Sequence, residues 1–380
     1  MAESARQKLP FRFYDNREKY LMFVTTCSEK WEVAARISEE LPHLIPRPPA
    51  LRVFDAGMGD GTVLTRVLRA MHQRFPTVPF LVVGKEISLE DVRLSIEKLP
   101  DRFHEHPHMV FVATNMFYGE APRLMPRSPE ALARLNWHVF ALDGSTTHDF
   151  DLQIRRKLQP ILSEGWRITM SPKSGNPIYE RPSVAVIYRR DHEFSLDRII
   201  PRPGLTEGFY DLVLASQPYQ ARVSAETKVR NVLAPLARAL APNGRMVVVQ
   251  STGRDPGMEI IHEIWPKEQP FATPRQALIK VLNNALKAER PKLRCLPFPD
   301  SRSLFRYSLH TLPSEVSESI GTSTLMAAWN AAVYVAQIED ARLLPVLSQG
   351  GFLEATQDVL RRHGGLWFTN ETFAVVRDSV

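Results

Sequence analysis

Cysteine is almost missing from this chain: Cys27 and Cys295 are the only two among 380 residues. Two thiols so far apart in sequence make neither a disulfide framework nor a cysteine-based zinc site, and they point to a reducing interior. Also missing is any apolar run approaching the roughly 20 residues that a membrane-spanning helix needs. The opening Met-Ala-Glu-Ser-Ala-Arg-Gln lacks the apolar core of a secretory leader. Both absences predict a cytoplasmic protein with no membrane partner. No long basic tract occurs either. The formal net charge of +6 leaves room for an acidic partner. Lys and Arg are nevertheless interleaved with Asp and Glu, unlike the arm of a nucleic-acid-binding protein. Internal repeats and low-complexity tracts are absent.

What is present suffices for a packed core. Hydrophobic residues make up 44% and charged residues 24%, an ordinary globular balance. The length suggests one large domain with additions, or two to three domains. Residues 17–41 carry apolar side chains at mixed spacings of about three and four (Tyr20, Phe23, Val24, Trp31, Val33, Ala34, Ile37), which predicts an amphipathic helical layer. The Pro-rich stretch 46–49 ends it. Short apolar strands then alternate with helices. Leu51 to Phe54, Phe80 to Gly84 and Met109 to Ala113 read as strands, with helices between them. The alternation breaks over 120–207 and resumes with Tyr210 to Ala215, a helix over 227–240, a turn at 241–244 and the strand Arg245 to Gln250.

This order predicts an α/β fold: a doubly wound, mostly parallel sheet covered on both faces, with ligands at the carboxyl ends of the strands. The expected divisions are a helical N-terminal cap (1–50), a Rossmann-like core (51–119 and 208–253), an inserted α+β substrate lobe (120–207), and a C-terminal part of the core with an extension (254–380).

The first strand runs into Asp55-Ala56-Gly57-Met58-Gly59-Asp60-Gly61, and a helix follows at once with Val63, Leu64, Val67, Leu68 and Met71 on one face. Glycine lets a backbone take positive φ and approach a ligand closely. The helix start adds unpaired N–H groups and a positive dipole end. Dinucleotide enzymes hold a pyrophosphate this way, but here the glycines fall at every second residue and Thr62 stands where that fingerprint wants glycine or alanine. Asp55, two residues before the first glycine, would repel a pyrophosphate and suits a cationic amino-acid end. Glu86 closes the second strand, where a carboxylate can accept two hydrogen bonds from ribose hydroxyls.

The run from Asp55 to Gly61 resembles the acidic-x-Gly-x-Gly-x-Gly hallmark of the class I S-adenosylmethionine-dependent methyltransferase family. The resemblance covers about 50–118 and 208–253. It implies S-adenosyl-L-methionine as cofactor, with Asp55, Gly57, Met58, Gly59, Asp60 and Gly61 at its methionyl end and Glu86 on its ribose. Asn115 stands at the end of the third strand, where the family often has Asp on the adenine amino group; its amide oxygen can accept the same bond. Met116 would pack on the adenine. The N-terminal helix, the core order and the tail 366–376 are also similar, in short pieces, to small-amine N-methyltransferases of the histamine type. The 120–207 segment departs from that pattern.

Ser216-Gln217-Pro218-Tyr219 follows the resumed core strand, in the loop where the family places substrate-facing residues. Amino-methyltransferases carry a polar residue, two prolines and an aromatic here; Gln217 replaces the first proline. Ser216, Gln217 and Tyr219 are therefore expected to line the substrate site. Methyl transfer needs alignment and water exclusion more than acid–base chemistry. His148 could serve as a base if the inserted segment folds over the cofactor, though Thr and Asp around it would also cap the helix at 150–163. The cluster His104-Glu105-His106-Pro107-His108 sits on a Pro-containing loop whose side chains do not readily converge, so no metal is expected.

The leading expectation is methyl transfer to a nitrogen or oxygen of a small molecule. The runners-up are a nucleic-acid methyltransferase and an aminopropyltransferase of the spermidine synthase type. Gly57-Met58-Gly59-Asp60-Gly61 resembles the Gly-Gly-Gly-Asp-Gly loop of the latter, which would carry an acidic residue where Ser-Gln-Pro-Tyr stands.

Overall fold

The computed structural model describes residues 17–172, 177–289, 292–296, 298–310 and 321–379. The N-terminal residues 1–7, read above for a leader, lie outside them. Among the described residues no helix is long and apolar enough to cross a membrane.

Twelve strands are described: β1 (Leu51–Asp55), β2 (Phe80–Lys85), β3 (Met109–Thr114), β4 (Asn136–Leu142), β5 (Ile168–Met170), β6 (Pro177–Tyr179), β7 (Ser183–Arg189), β8 (Tyr210–Ser216), β9 (Leu240–Ser251), β10 (Leu293–Leu296), β11 (Leu304–Ser308) and β12 (Trp367–Arg377). The main sheet runs β10-β12-β9-β8-β1-β2-β3-β7-β4, with β11 on β12, and β5–β6 form a separate hairpin. The central strands β9, β8, β1, β2 and β3 are parallel. From β1 the chain winds outward through β2 and β3, then returns to β8 on the other side. The strand order thus reverses beside β1, and a crevice opens at the carboxyl ends of β1 and β8.

The alternating apolar residues of the strands feed two cores, one on each face. On one side Leu51, Val53 and Val82 pack against α2 (Glu29–Ser38), α3 (Thr62–Arg74) and α4 (Leu89–Glu97). On the other, Phe54, Val83 and Val213 meet Leu233, Leu236, Leu278 and Leu282. In α3 the predicted face is the buried one: Val63, Leu64, Val67, Leu68 and Met71. Complete burial of a side chain such as Leu64 contributes about 1.5–3 kcal/mol.

The segment 120–207, expected as an inserted lobe, is only partly separate. Its strands β4 and β7 extend the main sheet, β7 lying antiparallel to β3 and β4 parallel to β7. The reason is the run from Val184 to Tyr188, which is apolar on both faces and buried throughout β7; such a strand needs cover on both sides. Similarly, the long C-terminal β12 pairs antiparallel with β9 and completes the opposite side of the sheet. The expected N-terminal helix is two helices, α1 (Arg17–Thr26) and α2. The break falls where Cys27 bridges Leu309 and Ser28 N–H donates to Ser308 O at 2.9 Å. That contact lies 280 residues away and was invisible to local periodicity.

Candidate active site

The glycine loop fills the first turn between β1 and α3. Gly59 (φ 51°) and Gly61 (φ 76°) occupy the left-handed region, as their lack of a side chain permits. Gly61 is also pressed against α4: a Cβ there would lie 2.9 Å from Ser95 Cα. Gly57 faces open space, with Pro218 Cα as its nearest neighbour at 4.0 Å. The loop therefore presents bare backbone at Gly57 and Gly59 to the crevice.

Its two other side chains face elsewhere. Met58 is buried and accepts a hydrogen bond from Ser95 Oγ at 3.4 Å. Asp60 is held by Tyr20 Oη–H at 3.0 Å, by Thr62 Oγ1–H at 2.5 Å and by Lys98 Nζ at 2.7 Å. Burial alone would raise the Asp60 carboxyl, but the charges of Lys30 and Lys98 prevail and hold it at about 2. Asp60 thus ties α1 and α4 to the loop, and its carboxylate is occupied there.

Two carboxylates stand at adjacent strand ends. Asp55 accepts from Gly57 N–H at 3.2 Å. Burial, aided by the neighbouring charge of Glu86, pushes its pKa up to about 7, despite the Gly57 bond and the pull of Lys30. Glu86 accepts from Ile87 N–H (2.7 Å) and Ser88 N–H (3.0 Å) on one oxygen and from Gly59 N–H (3.0 Å) on the other. Burial raises the Glu86 pKa while Lys85 opposes it. The pair forms an acidic floor that lacks a full complement of positive charge.

The facing wall comes from the end of β8. Gln217, a non-glycine residue, is held at φ 48°, a strained conformation of the kind that gathers at functional sites. Its N–H donates to Val249 O (2.9 Å) and its Nε2 donates to buried Glu29 Oε1 (2.6 Å). Tyr118 Oη–H reaches Pro218 O at 2.7 Å, pinning this loop to the residues after β3. Tyr219 Oη–H donates to Gln250 Oε1 at 3.2 Å. Gln250 in turn donates to Glu371 Oε1 at 2.8 Å. These walls, with Tyr20 and Phe23 of α1 and Tyr334 above, enclose a cavity of about 570 Å³.

Of the expected residues, Gly57, Gly59, Glu86, Asn115, Ser216, Gln217 and Tyr219 border this one cavity. Asn115 is also engaged elsewhere, and Asp55, Met116 and His148 do not border the cavity. Asp55 lies beneath the loop, buried to 3% exposure. The carboxamide of Asn115 is engaged on both ends: Nδ2 donates to Gly165 O (2.9 Å) and Arg181 O (3.0 Å), and Oδ1 accepts from Ser183 N–H (2.8 Å). Its amide thus splices β3 to the segment before β7, a use for Asn that Asp could not fill because it lacks the donor. Met116 is wholly buried in the core below. His148 sits in the first turn of the helix Thr147–Gln153, away from the cavity lining. There Thr146 and Asp149 form a reciprocal capping box, so the segment does the capping work that its composition suggested.

Lys30, Lys85 and Lys228 were not anticipated. Lys85 immediately precedes Glu86, and its place at a strand end was the one available signal. Glu29, Lys30 and Tyr20 arrive from the N-terminal helices by long-range packing. The histidine cluster is structural in part: His106 stacks on Phe80 at 3.8 Å between ring centroids and lies 2.9 Å from His72. Among the described residues no group of three or more His, Cys, Asp or Glu could hold a metal.

No protein-family profile matches the chain, and no curated protein sequence matches it. Among solved structures, the chain is similar to a geranyl diphosphate methyltransferase in complex with GPP and sinefungin. The identity is 14% over 90% of this chain and 78% of that chain, with a TM-score of 0.33. It is also similar to phosphoethanolamine N-methyltransferase 2 of Haemonchus contortus in complex with S-adenosyl-L-methionine. There the identity is 11%, over 98% of this chain and 61% of that chain, at a TM-score of 0.37. A third similarity is to the cyclase SpnF, at 13% identity over 98% of this chain and 85% of that chain, with a TM-score of 0.33. At such identities and scores the reading of the site rests on its own residues.

Proposed function

We propose that the chain binds S-adenosylmethionine in the crevice over β1 and β2 and catalyses in-line methyl transfer to a nitrogen or oxygen of a small molecule. The observation that carries this reading is the acidic pair on adjacent strand ends: Glu86 lines the cavity with the bare backbone of Gly57 and Gly59, and Asp55 lies just beneath that loop, accepting from Gly57 N–H. A floor with two carboxylates suits a cationic amino acid joined to a ribose. When bound, S-adenosylmethionine supplies an electrophilic methyl on its sulfonium.

The chain's own part is positioning. Asp55 carries the charge that a ligand ammonium would stabilise, and Gly57 and Gly59 admit its backbone closely. Glu86 can exchange the Gly59 N–H for ribose hydroxyls. Ser216 and the strained Gln217 hold the loop where an acceptor would meet the methyl group, and the rings of Tyr118 and Tyr219 narrow that end against water. The cavity volume matches a cofactor with a small acceptor. Both cysteines are free and buried, which agrees with a reducing, cytoplasmic setting.

Calorimetric titration of S-adenosylmethionine and S-adenosylhomocysteine into wild type and Asp55→Ala tests the reading. Binding of both that disappears in the variant is the expected result. A well-folded wild type that binds neither overturns it.

A further inference from the structure

Several charges that line the cavity are answered locally. Glu86 holds three backbone N–H groups. Glu29 is bonded by Gln217 and lies 3.5 Å from Lys30. Lys85, at the end of β2, and Lys228 also line the cavity; among the described residues neither makes a salt bridge, and the charges of Glu86 and Glu371 act on them only from farther off.

The two lysines are held alike. Lys85 Nζ lies 4.7 Å from the ring centroid of Tyr118 and has no hydrogen-bond acceptor among the described residues. Lys228 Nζ lies 4.9 Å from the ring of Tyr219, donates to Ala221 O at 2.8 Å and bonds Thr273 Oγ1, which leaves one N–H. Both phenol hydroxyls are bound elsewhere, to Pro218 O and Gln250 Oε1, so the rings are fixed as walls behind the cations. Burial lowers the pKa of Lys85, and brings that of Lys228 to about 8. Part-buried cations without a salt bridge gain from a ligand that supplies an anion.

We propose that the methyl acceptor carries an oxyanion, a carboxylate or a phosphate, which binds between Lys85 and Lys228 at the Tyr118–Tyr219 end of the cavity. This names the acceptor class for the methyl-transfer reading of the same site and rests on it.

The test is titration of benzoate and of inorganic phosphate, at constant ionic strength, into protein loaded with S-adenosylhomocysteine. At least one should bind wild type, and which one binds distinguishes a carboxylate-bearing from a phosphate-bearing acceptor. Lys85→Gln should weaken that binding about tenfold, as expected on losing a charge-assisted hydrogen bond. Lys85→Arg should restore most of it, each variant being kept saturated with S-adenosylhomocysteine. Lys85 borders the cavity, so its exchange does not open the core; Lys228→Gln provides the second arm. Failure of both anions to bind loaded wild type, or binding indifferent to Lys85→Gln and Lys228→Gln, overturns the proposal. If S-adenosylhomocysteine itself does not bind, the methyl-transfer reading fails, and the same anion titrations on the unloaded protein decide the oxyanion site alone.

Discussion

Gln217 Nε2 donates to Glu29 Oε1 across 2.6 Å, joining the end of β8 to the first turn of α2, 188 residues away in sequence. The bond satisfies a buried carboxylate and holds Gln217 at a backbone conformation that only glycine adopts without strain. Gln217→Ala loses the bond and keeps the strain, whereas Gln217→Gly loses the bond and relieves it. Urea unfolding should show the alanine variant destabilised by ~1–3 kcal/mol, with the glycine variant between it and wild type. Equal stability of the two variants would remove the strain from this account.

Asp55 is expected to trade stability for binding. Its folded pKa of about 7 lies above the unfolded value. Its contribution is therefore most favourable at acid pH, and it falls as pH rises from about 4 through 7. Asp55→Asn keeps an acceptor for Gly57 N–H and removes the buried charge. In the absence of ligand its melting temperature at pH 8 should exceed that of wild type, by on the order of 2 °C per kcal/mol gained, and the gain should vanish near pH 4. The same variant should lose S-adenosylmethionine binding.

A linked prediction concerns protons. If a ligand ammonium stabilises ionised Asp55, binding near pH 6.5 must release a proton, and affinity must rise between about pH 6 and 8. Calorimetry in buffers of different ionisation enthalpy measures the release directly. Proton uptake would contradict the assignment.

Asp60 has the opposite sign. Its pKa is held at about 2 by Lys30 and Lys98. It therefore stabilises the fold above the unfolded carboxylate value and loses that contribution as pH falls through about 2. At pH 7, Asp60→Asn should cost on the order of 2 kcal/mol, and the difference from wild type should shrink steadily below pH 4. A pH-independent difference would assign the cost to packing.

Gly61→Ala should destabilise by about 1–3 kcal/mol or more, because it meets both the left-handed φ and the backbone of Ser95. Gly57→Ala, whose Cβ would make only an ordinary contact with Pro218 at 4.0 Å, should leave the fold intact and weaken cofactor binding instead. Thermal melts and titrations of the two variants separate the structural glycine from the ligand-facing one.

The part of this protein that its sequence determines alone is the part whose cause is local. The strand from Leu51, the turn of alternating glycines and the helix carrying Val63, Leu64 and Val67 are contiguous, and each residue type has one conformational or packing reason to be there. That was enough to locate Asp55, Glu86 and the β8 loop on one edge of a parallel sheet. Local rules could not choose where one residue has two plausible partners. Asn115 has the groups to receive an adenine, yet its carboxamide splices β3 to the segment before β7. Asp60, inside the glycine loop, bonds Tyr20 and Lys98. Strands β4 and β7 continue the sheet instead of forming a separate lobe.

Only the tertiary structure decided the cavity itself. Glu29, Lys30 and Tyr20 enter it from helices that precede β1, Tyr334 from a helix far later in the chain, Lys85 from the end of β2 and Lys228 from the crossover after β8. Periodicity shows which face of an element is apolar but not what will cover it. Which charges end up buried together, and which remain unpaired, is settled by contacts between distant segments that no local window contains.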